Sequence, residues 1–161
     1  MVALNRAYTQ IKNYAQAITE GLRAVVADST YSSAWSNLGW TYYCAGEFDR
    51  CIEFSYKAIA FDKGATDAMF NIALATLRKG ETAKAADLYR QFVKTCRENH
   101  YDINDAAIDN LKELIAAHVY EKDAQLIVNK VFVPATWLKL EALKITQLFL
   151  LDNWLLSYTK N

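Results

Sequence analysis

The stretch Trp35-Ser-Asn-Leu38-Gly39-Trp-Thr-Tyr42, closed by Gly46, returns 34 residues later as Met69-Phe-Asn-Ile72-Ala73-Leu-Ala-Thr76, closed by Gly80. Large apolar residues keep their places between the two copies, and so do the small residues Gly39 and Ala73. The neighbouring segments repeat in the same register. Tyr14-Ala-Gln-Ala17-Ile18, Phe48-Asp-Arg-Cys51-Ile52 and Thr82-Ala-Lys-Ala85-Ala86 are spaced alike, followed by Ala24-Val25, Ala58-Ile59 and Phe92-Val93. Asp28, Asp62 and Cys96 mark the ends of the three copies. A fixed period of this length signals a stack of like units, none of which buries its apolar face alone.

Composition supplies the type of unit. The 161 residues include one proline, Pro134, and five glycines. Strands joined by tight turns use those residues freely, so their scarcity points to helices with short connections. Within each unit the apolar positions recur at helical spacing. Small residues (Ala17, Gly39, Cys51, Ala73, Ala85) stand where two helices must approach, and large ones (Trp35, Leu38, Tyr42, Ile72, Tyr89) fill the space between neighbours.

These residues resemble the tetratricopeptide-repeat (TPR) family, whose pattern Trp-x2-Leu-Gly-x2-Tyr is followed by Ala, an aromatic residue and Ala, often with a closing Pro. Residues 32–65 carry the resemblance best, through Trp35, Leu38, Gly39, Tyr42 and Ala58, with Cys51 in place of the usual Ala. Residues 66–99 match through Met69, Ile72, Ala73, Gly80, Ala85 and Tyr89. Residues 1–31 match as a partial repeat through Leu4, Tyr8, Ala17 and Ala24; its opening positions are missing, so a longer parent array is an expectation. The closing Pro is replaced throughout, by Ser29, Lys63 and Arg97. The resemblance implies an all-α, right-handed α-solenoid of antiparallel helix pairs, with about three repeats over residues 1–99.

Beyond Asn99 the period slips. Ala107, Ile108, Leu111, Leu114 and Ile115, then Ala124, Leu126, Ile127 and Val131, suggest a degenerate helix pair over 100–133. Pro134 opens a last segment, 134–161, expected to be an apolar C-terminal helix. A polar cap would normally finish a solenoid. Here Trp137, Leu148, Phe149, Leu151, Trp154 and Leu155 instead make the end apolar, and are the candidate self-association residues. A membrane span is not expected, because Lys144, Gln147, Asp152 and Asn153 interrupt a run shorter than the ~20 residues a span needs.

In the TPR family, ligands lie in the concave groove lined by the first helix of each pair. The resemblance places there Arg6, Thr9 and Gln10; Ser33, Ser36, Asn37, Trp40, Tyr43 and Cys44; and Asp67, Phe70, Asn71, Leu74, Leu77 and Arg78. Two readings stand side by side: these side chains hold a peptide or partner helix, or they contact neighbouring helices, including the terminal one. The amides of Asn37 and Asn71, one period apart, can give and take hydrogen bonds with a peptide backbone. Trp40, Tyr43 and Phe70 supply apolar anchor area. Family members that grip a terminal carboxylate use Lys and Asn, then Asn, then Lys and Arg. Those places hold Val2, Arg6, Asn37, Asp67 and Asn71 here, so that ligand class is not expected.

Other function classes find little support. Eighteen basic residues balance eighteen acidic ones, which disfavours nucleic-acid binding and leaves no polybasic membrane handle. Two histidines (His100, His118) and three cysteines (Cys44, Cys51, Cys96) show no metal-ligand spacing, and no phosphate loop or nucleophile motif is present. No cofactor, metal site or catalytic residue is assigned, and a cytoplasmic setting is the default expectation. The sequence thus reads as a protein-interaction module, with a self-assembling scaffold unit, a homo-oligomer built through the terminal helix, as the alternative.

Overall fold

The computed structural model describes residues 1–103 and 105–132. Eight α-helices follow in order: α1 (Val2–Gln10), α2 (Tyr14–Ala27), α3 (Ser32–Cys44), α4 (Phe48–Phe61), α5 (Thr66–Arg78), α6 (Thr82–Asn99), α7 (Asp105–Ala116) and α8 (Glu121–Ile127). A π-helical turn, Val128–Phe132, continues α8. The segment 134–161, with Trp137, Leu148, Phe149, Leu151, Trp154 and Leu155, lies outside the described residues. What is described is an all-α solenoid of antiparallel helix pairs. Odd-numbered helices pack side by side as one layer, and α2, α4 and α6 each lie against their own partner and the next pair.

The turn inside each pair explains the repeat length. Lys12, Gly46 and Gly80 occupy the same register and all have positive φ, 61°, 82° and 81°. Each turn closes with the same two backbone bonds. Gly46 N–H donates to Tyr43 C=O at 3.0 Å and Glu47 N–H to Tyr42 C=O at 2.9 Å; Gly80 to Leu77 and Glu81 to Thr76 repeat them at 2.9 and 3.2 Å. Such bonds satisfy the orphan carbonyls of the first helix's last turn, and glycine takes the left-handed geometry without steric cost. Lys12 adopts it without that freedom, at a cost of ~1 kcal/mol.

The fourth pair makes the same turn at His118, φ 54°, with His118 N–H on Ile115 C=O and Val119 N–H on Leu114 C=O. That is four residues beyond the 34-residue register. Helix α6 accounts for the slip, having 18 residues where α2 and α4 have 14.

Packing between the pairs is dense around α5. Every residue from Ala68 to Leu77 is buried, which requires a helix with apolar or small residues on all sides. One core cluster joins α5, α6, α7 and α8 through Met69, Leu74, Tyr89, Phe92, Leu111 and Ile127. A second joins the first two pairs through Val25, Leu38, Tyr42 and Cys51. On the face shared by α3 and α4, Trp35 stacks on Phe54 and Phe61 at centroid distances of 5.8 and 6.5 Å, and Phe54 stacks on Tyr42 at 5.2 Å. Trp35 also donates its indole N–H to Ser29 C=O at 2.8 Å, tying the loop before α3 to the stack.

Candidate functional site

The odd-numbered helices enclose a concave cavity of about 820 Å³. Its wall takes Asn5, Arg6, Thr9 and Gln10 from α1; Ser33, Ser36, Asn37, Trp40 and Cys44 from α3; Asp67, Phe70 and Asn71 from α5; and Ala106, Ala107 and Asn110 from α7. Successive inner helices present their residues to one space because a helix places positions three and four apart on one face. The volume falls within the ~300–1,000 Å³ usual for ligand sites.

Beneath the α1–α3 side of this cavity lies a buried polar network. Asn5 Nδ2 donates to Ala17 C=O at 2.8 Å and to Thr41 Oγ1 at 2.9 Å. Thr41 Oγ1 lies 2.9 Å from Thr9 Oγ1 and can donate to Asn37 C=O at 2.9 Å. These bonds tie α1 to both α2 and α3, so the first wall of the cavity is held by more than apolar contact. Asn5 is almost fully buried, and its Oδ1 has no hydrogen-bond partner.

The sequence-derived groove residues fall into three groups. Arg6, Gln10, Ser36, Asn37, Trp40, Asp67, Phe70 and Asn71 line the cavity, as do Thr9, Ser33 and Cys44. Leu74 and Leu77 are wholly enclosed in the core around α5 and α7 and present no surface. Tyr43 and Arg78 stand apart from the lining: Arg78 lies over the rings of Phe48 and Tyr43, 5.0 and 5.8 Å from their centroids. Tyr43 also stacks at 5.0 Å on Trp40, setting the pitch of the indole at the cavity edge.

Local contacts limit what each lining residue offers. Asn37 Nδ2 donates to Ser33 C=O at 2.6 Å within its own helix. Asn71 is buried, and its Nδ2 reaches Ser36 C=O only at 3.5 Å. Phe70 is buried, its ring stacked on Tyr89 at 6.0 Å and tilted against Phe132 at 6.1 Å. Burial pushes the Cys44 thiol up to about 11 and the Cys51 thiol to about 12, so both are neutral at ordinary pH.

Asn5, Tyr14, Tyr31, Asp62, Thr66 and Asn110 also line the cavity, though the repeat register does not assign them to the groove. Tyr14, Tyr31 and Asp62 stand at helix starts and in connecting segments, off the groove positions of the first helix of each pair. Asn110 belongs to α7, outside the regular period. Asn5 occupies a small-residue register position, and a polar side chain there was the one available clue.

Electrostatically the lining is divided. Arg6 and Lys12 contribute positive charge from the first pair, and Asp62 and Asp67 negative charge beside α5. Among the described residues no group of three or more His, Cys, Asp or Glu side chains is placed to hold a metal ion, and no helix is long and apolar enough to cross a membrane.

No protein-family model matches this sequence, and neither does any curated protein. Solved structures do match in shape. The Sgt2 TPR domain from Aspergillus fumigatus superposes with a TM-score of 0.58 at 19% identity, covering 81% of this chain and 80% of that one. The second TPR domain of human RPAP3, solved in complex with the HSP70 peptide SGPTIEEVD, superposes with a TM-score of 0.55 at 16% identity, covering 68% of this chain and 87% of that one. Helix pairs in a 34-residue register, the repeated left-handed turn and these superpositions agree: the described chain has the fold of a TPR domain.

Proposed function

We propose that this chain is a protein-interaction module that holds a peptide or a partner helix in its concave cavity. The observation that carries the reading is a roomy cavity whose wall is built from exposed and half-buried polar side chains of α1, α3, α5 and α7, with Trp40 at its edge. Polar residues such as Ser33, Asn37 and Gln10 do not serve the core, which is filled without them. The RPAP3 domain of like fold binds a peptide, which supports the same use here.

The ligand is not expected to be gripped by a terminal carboxylate. Val2 and Asp67 stand on the wall at two of the places where such grips carry cations, leaving Arg6 and Lys12 as its basic residues. An internal segment fits better, held by backbone hydrogen bonds and one apolar anchor against Trp40.

Panning a displayed peptide library on the full chain and measuring the selected peptide by fluorescence anisotropy tests this. Ser33→Arg, an exposed change that fills the cavity without touching the core, should weaken binding about tenfold or more, as should Trp40→Ala. Unchanged affinity in both variants would remove the cavity as the site.

A further inference from the structure

A second surface lies away from the concave cavity and shares no residue with its lining. On α6, Arg90, Val93, Lys94 and Arg97 fall at positions i, i+3, i+4 and i+7, one face of the helix. The π-helical turn sets Lys130 and Val131 against that face, and together they form a pocket of about 260 Å³. Its four basic groups face one acidic lining residue, Glu98. Two of the cations are already engaged: Arg90 pairs with Asp87 at 2.6 Å, and Lys94 with Glu98 at 3.7 Å. Arg97 and Lys130 have no acidic partner among the described residues. The buried Val93 and Val131 form the floor, and an apolar floor strengthens any charge interaction above it.

We propose that this pocket docks a carboxylate-bearing segment of a partner protein, with Arg97 and Lys130 as its main contacts. Charge complementarity identifies the occupant. The chain's own segment 133–161 is a poor candidate, because it carries three lysines (Lys139, Lys144, Lys160) against Glu141 and Asp152. A nucleic acid fits less well. The pocket is compact rather than a track along a backbone, has no aromatic residue on which a base could stack, and belongs to a chain of zero net charge. A planar Arg97 guanidinium with the Lys130 ammonium matches two neighbouring carboxylates instead. The chain would then offer two docking surfaces, the concave cavity and this basic edge.

The test uses the full chain and a fluorescein-labelled Glu-Leu-Glu-Glu-Leu-Glu peptide, read by anisotropy at low and physiological salt. Binding that weakens with salt and falls about tenfold in Arg97→Glu/Lys130→Glu is the expected result. Both side chains are exposed, so the fold should hold, and the single change Lys130→Glu, with a smaller loss, guards against misfolding of the double variant. Ser33→Arg should leave this affinity unchanged, which separates the edge from the cavity. Equal affinity in wild type and double variant would overturn the assignment. So would tighter binding of an oligothymidylate than of the peptide.

Discussion

Asn5 and Gly21 share a single packing volume: a Cβ built on Gly21 would lie 2.9 Å from Asn5 Nδ2 and 2.7 Å from Leu38 Cδ1. Asn5 stands in the register of Gly39 and Ala73, and Gly21 in that of Ser55 and Tyr89. The first pair therefore places its larger residue on α1, the reverse of the other two. In the second pair the glycine is on α3, where a Cβ on Gly39 would meet Ser55 Oγ at 2.6 Å. Each crossing sets a small residue against a larger one, and in the first pair the side that carries the larger one is exchanged.

Gly21→Ala should therefore destabilise the fold by ~1–3 kcal/mol, an overpacking effect larger than the gain in helix propensity. Leu38 is completely buried and has little room to move aside. Asn5→Ala should also destabilise, by ~1–3 kcal/mol, because it strips a donor from Ala17 C=O and Thr41. Combined, the two changes should cost less than their sum, since each relieves part of what the other disturbs. Urea denaturation of both singles and the double would show it; strict additivity would mean the two side chains do not compete for space.

The buried hydroxyl of Tyr89 predicts an unusual neutrality. Tyr89 is fully enclosed, with its ring edge-on to Phe132 at 5.9 Å, and its hydroxyl has no hydrogen-bond partner. Burial first, and the nearby Tyr43 second, raise its ionisation far above the ordinary value of 10.0. Tyr89→Phe should leave stability unchanged or raise it by up to ~1–2 kcal/mol, because it removes a desolvated polar atom and keeps the ring. A loss of more than ~1 kcal/mol in thermal or urea unfolding would show that the hydroxyl does have a partner.

Cys44 should be a slow thiol. It lines the cavity, half-buried, with its pKa raised from 9.0 to about 11 by burial first and by the charge of Glu113 second. At pH 8 its thiolate fraction should be about a hundredfold below that of a free thiol, and alkylation correspondingly slow. Its rate should climb as pH rises toward 11. The sign for stability is opposite: the folded state favours the protonated thiol, so its contribution is full below the unfolded value of 9.0 and fades as pH rises through the folded one. Timed reaction with a thiol reagent on a Cys51→Ala/Cys96→Ala chain would measure the rate; a fast reaction at pH 8 would contradict the burial.

The 34-residue recurrence around Trp35 and Met69 was enough to define paired helices and their stacking, because stacking depends only on which small and large residues recur at the crossings. The turns at Gly46 and Gly80 were legible for the same reason. Lys12 was not, since a lysine with φ of 61° takes its geometry from the bonds around it rather than from its own preference. Of the groove, positions such as Asn37 and Trp40 followed from register. Register could not tell which lining positions would be covered. Leu74 and Leu77 lie on the same helix as Phe70 and Asn71, yet they line no part of the cavity and sit wholly within the core that α5 forms with α6, α7 and α8.

By itself, then, the sequence determined the helix class, the period and the face each helix turns inward, since these rest on local spacing and residue size. Only the tertiary structure decided how far the cavity extends, that Asn5 and Thr41 brace its first wall, and that α6 carries the extra turn. It also decided that Arg97 and Lys130, from separate helical elements, line one pocket. Such features depend on the distances between non-neighbouring helices. Packing sets those distances collectively, and no single stretch of residues encodes them.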